Sequence, residues 1–328
     1  MNILIGTNHL HAIGGSEIYT YYLIQELLKY KEINHISLVV AHKDYMGIMS
    51  DKIEEELGIK CNQIPQEFIK DKGDKFFDVC ILNHNTTIQA VLQSPINIKE
   101  DNIFQIIHGT TPGVEQPYLP EHFYTNKDLK LNYIVISKEI QDYIKDKYKI
   151  DSIVITNGID CEKFKLEKFS IKSSPFRVLS LSQSIKFNKE LSELMEEMDL
   201  QFDYINKWDN PTWGVEEAIK KCDIVISLGR GVYEGMASGK FVIIADKRNY
   251  QTSMADGAVS PKNIERFLEN NCSGRAMRYN PTMGFIEAEI KKYNVKDCIE
   301  NRKFAEKNLN LKKQTKKIMN FIKDKIKK

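Results

Sequence analysis

The sequence predicts an α/β protein made of two doubly wound halves, each with its own parallel sheet, followed by C-terminal helices. Three observations lead to this prediction. Short β-rich segments alternate with helical patterns, and the alternation stops at a polar stretch over 165–175 and then restarts. The length of 328 residues also exceeds what one compact core usually holds.

The elements of the first half follow from runs of apolar and β-branched residues, bounded by residues typical of turns. They are expected in the order strand 2–6, helix 15–30, strand 36–41, helix 44–57, and strands 78–83, 103–108 and 133–136. Ser137 then begins a helix, because its hydroxyl can accept a hydrogen bond from a first-turn amide. A turn at 154–158 ends this half.

The second half repeats the alternation after the polar stretch. Its expected elements are strand 177–181, helix 188–198, strand 202–205, helix 213–221, strand 223–227, helix 231–238 and strand 241–246. The last 70 residues have mainly helical patterns. We therefore predict an N-terminal domain over 1–165, a C-terminal domain over 170–300, and a basic C-terminal helix over 301–328.

Composition excludes several classes of protein. With 42% apolar and 28% charged residues the chain is neither disordered nor fibrous, and no segment approaches the roughly 20 apolar residues that span a membrane. The six cysteines are scattered without a Cys-x-x-Cys pair, which disfavours a disulfide framework and a zinc site. The chain also begins without the basic flank of a signal peptide. Together these features predict a cytoplasmic protein.

Charge is unevenly distributed along the chain. Residues 301–328 hold 11 Lys and Arg against 2 Asp and Glu, while the remainder carries −7. A nucleic-acid partner is not expected, because the body of the chain lacks a basic excess. Two interpretations of the tail stay open: its apolar side packs on the first domain, or the helix contacts the inner face of an anionic membrane.

Two glycine-rich loops follow strands, at the sheet edge where doubly wound proteins bind ligands. Gly14-Gly15 opens the first helix, where backbone amides can approach a phosphate, although a simple turn is the alternative. In the second half, Gly229-Arg230-Gly231 leads into a helix that carries Glu234 in its predicted first turn. A carboxylate there can accept hydrogen bonds from vicinal hydroxyls, or can merely complement the helix dipole.

Five motifs, in order, resemble the nucleotide-sugar glycosyltransferases of the GT-B kind, which have two Rossmann-like domains that face each other across a cleft, and they are closest to family 4. The motifs are Gly14-Gly15-Ser16-Glu17, Ile107-His108-Gly109, Ile134 to Ser137, Ile155-Thr156-Asn157-Gly158 with Asp160 and Phe164, and the segment 229–239. The resemblance implies a hexosyltransferase-type enzyme with a nucleotide-sugar donor as co-substrate and no other cofactor. It also implies retention of the anomeric configuration.

The resemblance assigns roles to individual residues. His108 matches a histidine near the transferred sugar, and Glu234 matches the glutamate that holds the nucleotide ribose. The donor diphosphate is expected near Gly14 and Gly15 in the first domain, and in the second near Gly229, Gly231, Val232 and Tyr233. His9 and His11 are interpreted as contacts on the acceptor side, with a solvent-facing role as the alternative.

Two positions depart from the family pattern. Ile226 stands where a second glutamate would contact the donor sugar, and Gln183 stands where an arginine would neutralise the diphosphate. Glycosyl transfer needs fixed positive charge at the departing phosphate, for which Lys186, Lys189 and Arg230 are the candidates. Arg230 could equally be an exposed loop residue.

No metal is expected at the site. The chain has no Asp-x-Asp, and its histidines show no helix-face pairing with a carboxylate of the kind that zinc motifs have. The acceptor is not identified by the sequence and could be a glycan, a lipid-linked sugar or a protein. Two other functions stay open: a non-catalytic nucleotide-binding or glycan-binding subunit, and a nucleotide-sugar epimerase or hydrolase.

Overall fold

The structure is a computed structural model, and it describes residues 1–41, 44, 46–64, 76–94, 97–98, 102–110, 117, 131–165, 174–207, 209–248 and 253–326. Most of the polar stretch predicted as a linker, and His42 and His122, lie outside these residues. The chain divides into two compact units. Unit 1 comprises Met1–Thr156 and Gln314–Lys328, and unit 2 comprises Asn157–Lys313.

Unit 1 contains a parallel sheet that has seven strands among the described residues, in the order β3-β2-β1-β5-β7-β8-β9. The strands of this unit are β1 (Asn2–Thr7), β2 (His35–Val40), β3 (Cys61–Gln63), β4 (Phe76–Phe77), β5 (Val79–Asn83), β6 (Asn97–Ile98), β7 (Ile103–Ile107), β8 (Asn132–Val135) and β9 (Ile153–Val154). Its helices are α1 (Gly15–Leu27), α2 (Ile48–Leu57), α3 (Asn85–Leu92) and α4 (Lys138–Tyr148). Strands β4 and β6 pair separately.

The central strands of unit 1 are apolar on both faces. Every residue of β5 and β7 is buried, as a parallel sheet covered by helices on both sides requires. Ser137 caps α4 as the sequence predicts, with its Oγ accepting a hydrogen bond from the Ile140 amide at 3.4 Å. The central strands therefore form the rigid support whose carboxyl ends present the loops described below.

Unit 2 contains a five-stranded sheet in the order β11-β10-β12-β13-β14, counted over the described residues. Its strands are β10 (Arg177–Ser180), β11 (Gln201–Tyr204), β12 (Ile224–Ser227), β13 (Phe241–Asp246) and β14 (Met254–Ala258). Its helices are α5 (Ile185–Glu197), α6 (Glu216–Lys221), α7 (Arg230–Ala237), α8 (Ile264–Glu269), α9 (Met283–Ile290) and α10 (Val295–Asn308), and α11 (Leu311–Ile326) starts here. All neighbouring pairs are parallel except β13 with the edge strand β14.

The last helix, α11, uses its apolar side within unit 1. Ile318, Met319 and Ile322 are buried, and the Phe321 ring packs edge-on against Phe104 of β7 at 5.8 Å between centroids. Its lysines lie on the opposite side and are exposed, at positions Lys312, Lys313, Lys316 and Lys317. The apolar side of α11 from Ile318 to Ile322 is therefore part of the core of unit 1, whereas Leu309 of the same basic tail packs in the core of unit 2.

The predicted α/β class, with two parallel sheets and C-terminal helices, is confirmed. The predicted and observed ends of the elements differ by a few residues, because residues of the adjoining turns extend or shorten the apolar patterns from which the ends were predicted. One shift matters for function: α7 begins at Arg230, so Glu234 lies at the start of its second turn and not in the first. The first-turn interpretation of Glu234 is therefore wrong.

Candidate active site

The candidate functional residues lie in loops at the carboxyl ends of the two sheets. In unit 1 they follow β1, β5 and β7, which are neighbours in the sheet. In unit 2 they follow β10, β12 and β13, which are also neighbours. Parallel strands bring their carboxyl ends to one edge, so residues far apart in sequence meet there.

Four histidine rings line this edge in unit 1. His9 and His11 belong to the loop after β1, with ring centroids 4.8 Å apart. His84 follows β5 and His108 follows β7; their centroids lie 6.2 Å apart, and the His9 and His84 centroids lie 6.3 Å apart. The structure thus brings together the three histidines that the sequence singled out and adds His84.

His84 occupies an unusual backbone conformation. Its φ is 66°, in the left-handed region that a residue with a side chain seldom adopts, and its side chain is buried. Its Nδ1 accepts a hydrogen bond from the Asn8 amide at 3.3 Å, and Asn8 Oδ1 accepts from the Thr86 hydroxyl at 3.0 Å. The spacing of residues along the sequence does not reveal the role of His84, because its contact with Asn8 exists only when β1 and β5 are neighbours in the sheet.

A buried carboxylate lies against the predicted phosphate-binding glycines. His9 Nδ1 is 2.9 Å from Glu17 Oε1, the Ser16 hydroxyl donates to Glu17 Oε2 at 2.8 Å, and a Cβ on Gly14 would lie 2.6 Å from that oxygen. Burial raises the pKa of Glu17, but the hydrogen bonds and charge of its neighbours outweigh burial and leave this pKa below its ordinary value. The Glu17 carboxylate thus fills the space where a Cβ of residue 14 would lie, whereas a Cβ on Gly15 would meet no atom of the described residues within 4 Å.

In unit 2 the glycine-rich turn packs tightly at the end of β12. Gly229 has a φ of 56°, which favours glycine, and its carbonyl accepts from the amides of Val232 and Tyr233 at 3.1 and 3.4 Å. A Cβ on Gly231 would lie 2.2 Å from Ser227 Oγ, so this glycine lets the helix approach the strand. Two of the amides predicted to lie near the diphosphate, those of Val232 and Tyr233, thus already have a partner within the turn.

Val232 and Tyr233 have fully buried side chains. The Tyr233 hydroxyl donates to Asn271 Oδ1 at 2.8 Å, and the Gly229 amide donates to the Cys272 carbonyl at 2.9 Å. The loop at Asn271 and Cys272 therefore fixes the start of α7. This contact crosses about forty residues of sequence and left no local pattern to predict it.

Glu234 and Arg230 form a buried ion pair one helical turn apart. Arg230 Nε donates to Glu234 Oε1 at 2.8 Å, and the side chains are only 12% and 8% exposed. Burial raises the pKa of Glu234, and the nearby Arg230 charge lowers it only in part. The Arg230 guanidinium also lies 3.5 Å from the Gly158 carbonyl. Arg230 is thus no exposed loop residue.

Trp213, Lys163 and Glu216 extend this site. Lys163 Nζ lies 3.1 Å from Glu216 Oε1 and 5.4 Å from the centre of the Trp213 ring. Glu216 and Lys163 also act electrostatically on Glu234, in opposite directions. A carboxylate and a cation thus act on the ion pair, and a partly exposed indole contacts that cation; the sequence prediction included none of these three residues.

The predicted cations on α5 are exposed, and two further cations lie nearer the end of β13. Lys186 and Lys189 are exposed on α5. Asp246, which is buried, accepts from Arg248 Nε at 2.6 Å and from the Lys247 amide at 2.8 Å. Lys247 and Arg248 follow β13 directly in the sequence, so their position at the sheet edge could have been predicted from the end of that strand.

A network of serines ties the β10 loop to the same place. Ser182 Oγ donates to Asp246, and it accepts from the Ser184 amide at 3.0 Å. Asn188 Oδ1 accepts from the Ser180 hydroxyl at 2.7 Å. Gln183, the position where the family has an arginine, accepts from the Lys207 amide at 2.9 Å and so braces the neighbouring loop.

Ile226 lies in the core and not at the edge. It is the third residue of β12, is 0% exposed, and packs among apolar residues such as Val178, Phe187 and Ile243. A glutamate at this position would lie in that apolar core. The position that the sequence aligns with the second family glutamate therefore lies in the apolar core of unit 2.

Over the described residues, no group of three or more His, Cys, Asp and Glu side chains is placed to hold a metal ion. No helix within the described ranges is long and apolar enough to cross a bilayer.

Solved structures resemble this chain over nearly its whole length. CalG4, the calicheamicin glycosyltransferase, superposes with a TM-score of 0.53 at 9% identity, covering 98% of each chain. The chain has the GT-B fold. UGT71G1 from Medicago truncatula, complexed with UDP-glucose, gives a TM-score of 0.53 at 10% identity over 99% of this chain and 98% of that one. MurG from Acinetobacter baumannii gives 0.50 at 10% identity over 98% and 99%.

No protein-family model matches the sequence, and no curated protein matches it either. At identities of 9 to 10%, the structural likeness establishes the fold alone. The function must therefore be argued from the residues at the two sheet edges.

Proposed function

We propose that this protein is a glycosyltransferase that transfers a sugar from a nucleoside-diphosphate donor to an acceptor hydroxyl. The observation that carries the proposal is the buried Arg230 and Glu234 pair behind the Gly229 turn, at the carboxyl end of β12. The whole-chain GT-B fold supports it, because the structures that share this fold include the calicheamicin glycosyltransferase CalG4 and UGT71G1 complexed with UDP-glucose. Membership of family 4, hexosyl transfer and retention of configuration belong to this proposal.

Unit 2 is proposed as the donor side. Glu234 would accept hydrogen bonds from the ribose hydroxyls, with Arg230 holding the carboxylate in place. Trp213 offers a partly exposed ring on which a nucleobase could stack. The amides of Val232 and Tyr233 are used within the turn, so the proposed diphosphate contacts rest on the Gly229 to Gly231 backbone and the surrounding cations.

Charge for the departing diphosphate would come from side chains at the same edge. Negative charge grows on the leaving group as the glycosidic bond breaks, so fixed cations lower the barrier. Lys186 and Lys189 remain proposed candidates, and Lys247 and Arg248 join them because Asp246 anchors their segment at the end of β13. A metal ion is not part of this mechanism.

Unit 1 is proposed as the acceptor side. His108 would contact the transferred sugar, and His9 and His11 would lie toward the acceptor. Glu17 keeps His9 in a fixed orientation through their 2.9 Å contact. The Gly15 side of the α1 start is the better place for a donor phosphate, because the Glu17 carboxylate opposes an anion at Gly14.

The acceptor class and the cellular location are also proposals. We place the protein in the cytoplasm, and any membrane contact would be made by the exposed lysines of α11, since its apolar side is buried. Sedimentation with vesicles of anionic and of zwitterionic lipid tests this contact. Binding to neither kind of vesicle would remove the membrane from the proposal.

A non-catalytic nucleotide-binding subunit is the second candidate. It is favoured by Ile226 and Gln183, which replace the glutamate and the arginine that the family pattern leads one to expect. Turnover distinguishes the two functions, since a binding subunit would bind a nucleotide but consume no donor.

The first experiment is a thermal-shift panel of nucleoside diphosphates and their sugars. A ligand at a hundred times its dissociation constant adds about 2.7 kcal/mol to the free energy of unfolding. We expect at least one nucleotide to raise the melting temperature, and Glu234→Ala to abolish that rise. Glu289→Gln is the matched control, because Glu289 is also a buried carboxylate of unit 2 but accepts from the Ala258 amide on β14. A panel without any shift contradicts the donor site.

The second experiment follows donor consumption with and without added acceptors. Wild-type protein should release nucleoside diphosphate, and His108→Ala and Glu234→Ala should each slow the release. If both variants keep the wild-type rate, the residue assignments are wrong even though the fold stands. Release that no acceptor accelerates would instead favour the hydrolase alternative.

A further inference from the structure

A chain of hydrogen bonds leads from the first helix to His108. The Thr20 hydroxyl is 2.9 Å from the Ser16 carbonyl oxygen, and Asn83 Nδ2 is 3.2 Å from Thr20 Oγ1. At the other end of the same amide, Asn83 Oδ1 lies 3.0 Å from His108 Nε2. Thr20 and Asn83 are both 0% exposed, so water does not compete for these bonds.

The direction of each bond follows from counting protons. A backbone carbonyl can only accept, so the single Thr20 hydroxyl proton points to Ser16, and Thr20 Oγ1 must accept from Asn83. The side-chain NH₂ group of Asn83 therefore faces Thr20, and its side-chain oxygen, Oδ1, faces His108. Because an amide oxygen can only accept, His108 Nε2 must carry a proton.

We propose that Asn83, oriented by Thr20, is a positioning residue that holds neutral His108 in its Nε2–H tautomer and makes Nδ1 the basic nitrogen. Tyr19 supports this geometry, with its ring edge-on to His108 at 4.7 Å between centroids. The tautomer assignment stands apart from the proposed function. Its use, an Nδ1 that accepts a hydrogen bond from a sugar hydroxyl, rests on that function.

Other titratable groups face this ring or its neighbours. Tyr19 and His84 lie beside His108, and His9 with its partner Glu17 lies behind His84. Burial raises the pKa of Tyr19, so this phenol stays neutral and adds no charge to the ring it contacts. His84 has an acceptor Nδ1, bonded to the Asn8 amide, so its proton also lies on Nε2 when the ring is neutral.

The test is the nitrogen NMR spectrum of the full chain, labelled with ¹⁵N-histidine, at a pH where the rings are neutral. His108→Gln identifies the His108 signals by their loss. We expect a protonated, pyrrole-type Nε2 and an unprotonated, pyridine-type Nδ1. A protonated Nδ1, or an equal mixture of the two tautomers, overturns the proposal.

Two matched substitutions at Thr20 test the role of the hydrogen-bond chain that leads to His108. Thr20→Val keeps the shape but removes the hydroxyl, so the Asn83 amide can turn over and the His108 tautomers should mix. Thr20→Ser keeps the hydroxyl and should retain the wild-type pattern. A Thr20→Val spectrum identical to wild type would show that Thr20 does not orient Asn83.

A charge substitution provides a readout that does not depend on the tautomer. In Asn83→Asp a carboxylate accepts from His108 Nε2–H, and the imidazole pKa should rise by about one unit or more. Asn85→Asp is the control, because Asn85 is also buried but lies two residues further on, in α3. Equal shifts in both variants would mean that Asn83 has no special contact with His108.

These measurements separate the inference from the proposed function. If the protein consumes no donor but His108 has the expected tautomer, only the glycosyltransferase activity is refuted. A chain that consumes donor with His108 in the other tautomer refutes this inference alone. If Asn83→Asp fails to fold, the Thr20 pair and the wild-type spectrum still decide the question.

Discussion

Removing Arg230 while Glu234 remains should destabilise unit 2 strongly. In Arg230→Met an unbranched apolar side chain replaces the arginine stem, and the guanidinium group with its charge is lost. Glu234, whose side chain is only 8% exposed, is then left without the guanidinium that donates to it at 2.8 Å. The variant therefore isolates the electrostatic part of the contact.

The expected size follows from the distance and the burial. At 2.8 Å and an effective dielectric constant of about 20, two unit charges attract by about 6 kcal/mol before desolvation is subtracted. The raised pKa of Glu234 indicates that burial disfavours the charged carboxylate more than the Arg230 charge favours it. Because losing one partner leaves the desolvated charge behind, we expect a loss of about 3–5 kcal/mol in the free energy of unfolding at neutral pH.

The loss should depend on pH in a defined direction. The folded pKa of Glu234 lies above the ordinary value of 4.5, so between these two values the folded chain holds a proton that the unfolded chain has released. The free energy of unfolding therefore falls as pH rises through that window. Without Arg230 the folded pKa rises further, and the difference between variant and wild type should grow as pH rises above 4.5.

Urea unfolding from about pH 4.5 to about pH 8 measures this difference. The double variant Arg230→Met/Glu234→Gln removes both charges and should recover most of the loss. Arg266→Met serves as a control for removing an arginine, because Arg266 is exposed on α8 of the same unit. A loss below about 1 kcal/mol that does not change with pH would refute the argument, because that is the value of an exposed pair.

Three further predictions concern packing. Gly231→Ala should lower the free energy of unfolding by about 1–3 kcal/mol, because the new methyl group would lie 2.2 Å from Ser227 Oγ. The control, Gly15→Ala, should lower it far less, because a Cβ there meets no atom within 4 Å among the described residues. Equal losses for the two variants in denaturant titrations would contradict this prediction. Ile226→Glu should lower the free energy of unfolding by about 4 kcal/mol or more and should not increase donor consumption. A folded variant that consumes donor faster than wild type would indicate that residue 226 can contact the donor. Met319→Ala should lower the free energy of unfolding by about 2–5 kcal/mol and reduce the protection of β7 amides against hydrogen exchange. Unchanged protection in β7 would mean that α11 contributes little to the stability of unit 1.

The central strands of the two sheets were well predicted from sequence, because buried parallel strands are continuous apolar runs, whereas the short strands β3, β4, β6 and β9 were not predicted. β14 was not predicted, since Met254 to Ala258 includes Asp256 and Gly257, which are rare in strands. It forms because Asp256 accepts from the amides of Gly274 and Met277 at 3.0 and 2.7 Å. That stabilisation comes from a distant loop and leaves no periodic pattern.

The candidate site was predictable where a residue type and its position at a strand end coincide. His108 and Glu234 met both conditions. The partner of Glu234 was predicted less well: Arg230 was assigned to the diphosphate, although its spacing of four residues on one helix also predicts an ion pair. Asn83 and His84 could not be recognised, because their contacts exist only once β5 lies between β1 and β7.

The return of α11 to unit 1 has a consequence for how the protein is made. Residues 314–326 leave the ribosome after all of unit 2, yet they supply buried side chains to the unit formed by the first 156 residues. Domains usually fold in the order of their synthesis. Until α11 emerges, the side of the unit 1 sheet that carries Phe104 lacks the helix that covers it. Chaperone capture of the nascent chain should therefore continue at least until α11 has emerged from the ribosome.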